Sequence, residues 1–311
     1  MGLTGYWVGP LFAVVGVLGF SFKAILIKLA YAAHPVDPLT LLTLRMLFAA
    51  PFFLAMAWWS RRARHAAAPV IARGDRLRLM ALGFIGYYVA SLLDFIGLQY
   101  ISASLERLIL FIYPTMVVVL SALLLSKRVT RRALVALFLS YAGIMLVLLH
   151  DLALPGSAAA LWTGSGIVFA SALLYAYYLV ASGDLITRIG SLRFTAWAML
   201  ASTVFVLLQF ALTRDPALLV VPLPVYGLAL AMAILSTVLP TLLIAESIHR
   251  LGANTSSLIG SLGPVFTIGL GALILGEPLF WAQFAGVALV LAGVLMVTLR
   301  APAAARIAPE S

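Results

Sequence analysis

Apolar residues run through this chain in stretches of about 20, enough to cross a bilayer core of roughly 30 Å, with short polar breaks between them. The pattern predicts five helices in the first half: Trp7–Tyr31, Leu39–Trp59, Leu77–Tyr100, Ala103–Leu125 and Ala133–Leu149. It predicts five more in the second: Trp162–Gly183, Arg193–Thr213, Val225–Ser247, Thr255–Gly276 and Phe280–Leu299. Their apolar content is continuous rather than amphipathic, so they need lipid or protein on every side. The runs are too long, and alternate too little, for the strands of a transmembrane barrel. The expected class is an all-α integral membrane protein.

The pattern also repeats. Pro114 and Pro264 stand 150 positions apart, and at that offset Ala103 meets Ala253 and Leu108-Ile109 meets Leu258-Ile259. Leu120, Ala122, Leu123 and Leu125 meet Leu270, Ala272, Leu273 and Leu275, and Ala142-Gly143 meets Ala292-Gly293. One ungapped offset across two helices reads as an internal duplication. Residues 1–150 would form a first five-helix repeat, residues 151–299 a second, and residues 300–311 a cytoplasmic tail. Five is odd, so the second repeat must enter the membrane inverted. Such repeats recur in secondary transporters, with the substrate site near the midplane between them.

Basic residues set the expected orientation. Arg61, Arg62, Arg64, Arg73, Arg76 and Arg78 flank the second break, and Lys127, Arg128, Arg131 and Arg132 the fourth. Arg188 and Arg193 flank the sixth, Arg250 lies in the eighth, and Arg300 and Arg306 lie in the tail. All fall on one side if the helices alternate, while the opposite breaks hold only Arg214. Both termini are therefore expected in the cytoplasm. The first helix does not read as a signal peptide, because no Lys or Arg precedes Trp7 and Lys23 and Lys28 interrupt its apolar run.

Composition agrees with this reading and removes several functions. Of 311 residues, 64% are hydrophobic and 10% charged, more apolar surface than a soluble fold can bury. There is no cysteine, and the four histidines are scattered, so neither a metal site nor a cofactor is expected. The net charge of +10 is dispersed along the membrane sides, which argues against a nucleic-acid patch. No P-loop, HExxH or Ser/His/Asp constellation points to an enzyme, and no soluble signalling domain to a sensor.

The remaining chemistry lies in polar groups inside the membrane, where charge is costly. Lys23, Lys28, Arg45, Asp94, Glu106 and Arg107 all belong to the first half. The expected arrangement pairs Asp94 or Glu106 with Arg107 or Arg45 and leaves Lys23 or Lys28 for a substrate anion. Asp94 or Glu106 could carry a coupling proton. Lys28 and Arg107 are expected to snorkel outward, and Lys23 and Arg45 to line a cavity. Tyr87, Tyr88, Tyr113, Tyr175, Tyr178 and Trp197 sit away from the helix ends, as aromatics lining a polar cavity would. Asn254 and Ser257 are the uncharged candidates of the second half. Pro114, Pro240 and Pro264 are candidate hinges.

The chain resembles a ten-helix EamA-type member of the drug/metabolite transporter superfamily. The resemblance rests on Leu44-Arg45, on Gly97-Leu98-Gln99-Tyr100 through Ala103 to Pro114, and on Leu262-Gly263-Pro264. It also rests on Leu275-Gly276-Glu277-Pro278 and on Gly286 through Gly293. Lys127 departs from the pattern, since the first repeat in such proteins often carries Glu there. The resemblance implies a bacterial inner-membrane carrier that exports amino acids, drugs or other metabolites. Cationic and aromatic candidates together point to a substrate with a carboxylate and an apolar portion, with multidrug efflux as the alternative. With both repeats in one chain, a monomer holds a complete pathway, and a dimer is equally compatible.

Overall fold

The computed structural model describes residues 3–62, 72–126, 129–153 and 156–298. Among these, every regular element is helical, and ten helices are long and apolar enough to cross a membrane. They span Trp7–Ala33, Pro38–Ser60, Arg73–Gly97, Ala103–Leu125, Arg131–Leu152, Ala158–Ile189, Ser191–Thr213, Leu223–Leu251, Leu258–Leu275 and Trp281–Thr298, and are called the first to tenth helices below. Several run further than their apolar cores, because polar and charged residues extend helices into the interface. The sixth thus reaches Ile189 and the third begins at Arg73. Arg64, Lys127, Arg128 and the tail with Arg300 and Arg306 lie outside the described residues.

Short side chains let the helices approach closely, as apolar helices in lipid require. The fifth and tenth helices cross at Gly143 and Gly286, where a Cβ on Gly286 would lie 2.5 Å from Val147 Cγ2. The first helix lies along the eighth, and a Cβ on Gly19 would meet the Leu235 carbonyl and Pro240 Cγ at 2.6 Å. Large apolar side chains such as Leu123, Leu212 and Leu273 point outward at 74%, 75% and 83% exposure, as lipid-facing positions do.

Neighbours recur between the halves. The first helix packs on the eighth and the sixth on the third; the second packs on the seventh and the fifth on the tenth. The 150-residue offset also appears in the backbone. A π-helical stretch occupies Phe84–Val89 in the third helix, and another occupies Ile234–Val238 in the eighth. The fourth helix breaks at Phe111 and Ile112, the ninth at Ser261 and Leu262. Pro114 and Pro264 therefore start new helical segments rather than kink continuous ones, because a first-turn proline has no intrahelical N–H to lose. Pro240 stands in the first turn after the second π stretch.

Contacts between breaks join like with like. Arg214 donates to Asp37 at 3.1 and 3.2 Å, tying the seventh break to the first. Arg188 reaches Asp75 at 2.9 Å, tying the sixth to the second.

Candidate functional site: a buried ion cluster beside an aromatic chain

Lys23 stands near the middle of the first helix, where neither interface is in reach. Its Nζ lies 2.6 Å from Asp94 Oδ2 on the third helix and 3.4 Å from Glu106 Oε1 on the fourth. Both carboxylates are almost completely buried, and 18% of the Lys23 side chain remains exposed. Among the described residues, no other cation comes within 4.0 Å of either carboxylate. Two carboxylates sharing one ammonium leave one negative charge in excess, which a proton or a ligand cation can neutralise.

This corrects the expected pairing. Asp94 and Glu106 take Lys23, not Arg45 or Arg107, and Lys23 is not left over for an anion. The reason is reach. Lys23 faces the third and fourth helices at the level of both carboxylates, whereas each arginine is drawn to other groups. Arg45 Nε donates to Thr237 Oγ1 at 3.0 Å, and its guanidinium lies 5.6 Å from the centre of the Phe95 ring. Thr237 belongs to the π stretch of the eighth helix, and its hydroxyl donates five residues back to the Met232 carbonyl. The irregular turn thus aims a hydroxyl oxygen at the second helix. Arg45 is 7% exposed, and its Nη1 is buried without a hydrogen-bond partner. Among the described residues no carboxylate lies within 4.0 Å of it or of Arg107.

Arg107 meets the break in the ninth helix, where a Cβ on Gly263 would lie 2.8 Å from its Nη2. Ser21 donates to the Gly263 carbonyl at 3.1 Å, so the first helix grips the same break. Counted together, Lys23, Arg45 and Arg107 exceed Asp94 and Glu106 by one positive charge.

Four of the expected aromatics form a chain. Tyr178 donates to the Tyr87 hydroxyl at 3.2 Å, with ring centres 5.0 Å apart. Tyr175 stacks on Tyr178 at 5.7 Å, and Tyr113 meets Tyr175 edge-on at 5.3 Å. Gly86 makes room for the Tyr178 ring, which a Cβ there would strike. Trp197 packs into the same apolar cluster. Tyr88 goes elsewhere: it donates to Gln209 at 2.7 Å and packs with Phe84 and Phe205. The side chains of Asn254 and Ser257 lie outside the described residues. Thr237, Ser21 and Gln209 were not anticipated; single hydroxyls and amides in apolar helices carry no pattern that reveals a partner on another helix.

The EamA-like transporter family matches residues 7–149 and 162–299, one segment in each half. The chain belongs to the EamA-like transporter family. It is 33% identical over 286 residues to the uncharacterized transporter YcbK of Bacillus subtilis (strain 168), covering 89% of this chain and 88% of that protein. The uncharacterized transporter YyaM of the same organism is 27% identical over 224 residues, 72% of this chain and 73% of that one. A solved crystal structure aligns with a TM-score of 0.64 over 94% of this chain and 96% of its own, at 20% identity, a likeness of fold alone. This EamA-like protein is thus a multi-pass membrane transporter, and its buried charges are to be read as parts of a carrier.

Proposed function

We propose that this transporter exports small amphipathic carboxylates, amino acids or their relatives, by alternating access between two inverted five-helix repeats. The observation that carries the reading is Arg45. A nine-tenths-buried guanidinium without a carboxylate partner is expensive in a membrane, and a substrate carboxylate would complete it. Thr237 and Phe95 hold it in place, and the tyrosine chain offers an apolar surface for the rest of the substrate. Asp94 and Glu106 carry the coupling proton, and Lys23 keeps the pair tolerable when it is deprotonated. The repeat-related π stretches, the paired breaks and the two family matches support the inverted repeat. The basic breaks support a plasma-membrane orientation with both termini cytoplasmic.

Efflux of labelled amino acids from proteoliposomes tests this, with Arg45→Met and Lys23→Ala as matched variants. Saturable efflux abolished by Arg45→Met supports the carboxylate site; efflux unchanged by it removes Arg45 from the site. A second reading, efflux of cationic aromatic compounds, is favoured by the excess negative charge at Asp94 and Glu106. It predicts flux of such compounds, and none of amino acids.

A further inference from the structure

We propose that Glu277 is a latch that holds one end of the transport path shut, and that the other end has no counterpart to it. The proposal rests on the alternating-access reading above. The ninth helix finishes in a π-helical turn, Gly271–Leu275, and Gly276 then adopts a left-handed conformation at φ +68°. The Glu277 N–H donates back to the Gly271 carbonyl at 3.1 Å, which fixes the direction of its side chain. Glu277 thus reaches across to the start of the fourth helix. Its Oε1 accepts the Ala103 N–H at 2.7 Å; its Oε2 accepts the Ser104 N–H at 3.2 Å and the Ser104 hydroxyl at 2.6 Å.

The chemistry suits a latch. The first N–H groups of a helix have no partner within it, and the helix dipole favours negative charge there. Ser102 already accepts the Leu105 N–H. Glu277 supplies the remaining acceptor from the opposite half of the chain, so the cap holds only while the fourth and ninth helices stay together at this end. The packing agrees. The half-helices Ala103–Leu110 and Gly263–Leu270 pack on each other and on the first helix. Beyond the two breaks their continuations part: Tyr113–Leu125 lies mainly on the sixth helix and Ala253–Gly260 on the first and eighth, while both touch the tenth. A recess of about 620 Å³ lies at that far end, beside Gly9, Arg250 and Thr255. At the latched end a recess by Tyr100 and Asp151 measures about 170 Å³.

The offset of 150 explains why the device is one-sided. Position 277 corresponds to Lys127, and position 104 to Asn254. An ammonium can accept no N–H, so Lys127 cannot act as Glu277 does. The two ends differ in the sign of one charge, and the resting state is closed where that charge is negative.

The absence of cysteine permits a direct test. Tyr100→Cys and Leu279→Cys, both exposed near the latch, carry spin labels for distance measurement in liposomes. The parent is expected to give one dominant short distance. Glu277→Ala is expected to raise a longer-distance population about five-fold, the factor that corresponds to loss of a typical side-chain cap. Ser104→Ala removes one hydroxyl contact and should shift the distribution the same way by less, which guards against a misfolded Glu277 variant. Lys127→Glu, which would supply a counterpart latch at the other end, should shift it the same way, toward the longer distance. Unchanged distances in both Glu277→Ala and Ser104→Ala, with transport intact, overturn the latch and leave the carrier reading standing. A single distance in every variant, with and without substrate, and no transport of any compound, overturns both.

Discussion

Replacing Lys23 by Met isolates what the ion cluster costs and what holds it. The ammonium lies 2.6 Å and 3.4 Å from two buried carboxylates. Its removal leaves two like charges in the membrane with no cation among the described residues within 4.0 Å. Removing one partner of a buried pair costs about 3–5 kcal/mol. The 18% of the Lys23 side chain that stays exposed argues for the low end. About 3 kcal/mol corresponds to a fall of about 150-fold in the folded-to-unfolded ratio. The triple variant Lys23→Met, Asp94→Asn, Glu106→Gln removes every charge and should recover most of the loss. Glu106→Gln alone leaves a one-to-one pair and should be no less stable than the parent; on the proposed proton-coupled reading, transport should lose its dependence on a proton gradient. Asp94→Asn, which breaks the shorter contact, should cost more than Glu106→Gln. Unfolding in mixed micelles, followed by the fluorescence of the six tryptophans, reads all four variants. The reasoning fails if Lys23→Met is as stable as the parent, or if the triple variant is no better than Lys23→Met.

Gly86→Ala should push the Tyr178 ring off the third helix, raising KM for an aromatic substrate more than for a small one and lowering stability by about 1–3 kcal/mol. Gly19→Ala drives a methyl against the Leu235 carbonyl and Pro240, and should separate the first and eighth helices with a comparable loss in the same unfolding assay. Asp37 both accepts the Thr40 N–H at 3.2 Å and holds Arg214, whose guanidinium that hydrogen bond keeps above its ordinary value. Asp37→Asn keeps the cap and loses only a partly exposed ion pair at the membrane edge, so stability should fall by under about 1 kcal/mol. Asp37→Ala loses both and should cost about 1–2 kcal/mol.

Much of this molecule could be read from its residues. Ten apolar runs suffice for the number of helices, because lipid leaves a chain few ways to satisfy its backbone. The intramembrane charges were equally visible. Their partners were not, since pairing depends on which helix faces which, and no periodicity encodes that. Lys23 took both carboxylates because the first helix lies beside the third and fourth. Arg45 took Thr237 because the second lies beside a π turn of the eighth. The π stretches at Phe84–Val89 and Ile234–Val238 share no identical residue at the 150-residue offset, so only the backbone shows their likeness. Glu277 is visible in the sequence only as part of the motif Leu275-Gly276-Glu277-Pro278; its grip on the fourth helix could be seen only with both in space.

Those two π stretches bear on ancestry. They sit 150 residues apart, each after a run of ordinary α-helix and each before the same helix continues. On the duplication reading, one irregular turn was copied rather than invented twice. On that reading a five-helix ancestor already carried the irregular turn in its third helix. Such an ancestor would have assembled as an antiparallel pair, each copy lending its irregular turn to the other, and gene fusion would have joined a symmetry already in use. On the same reading, fusion left the copies free to diverge: the first half holds the buried charges, the second the hydroxyl that steadies Arg45.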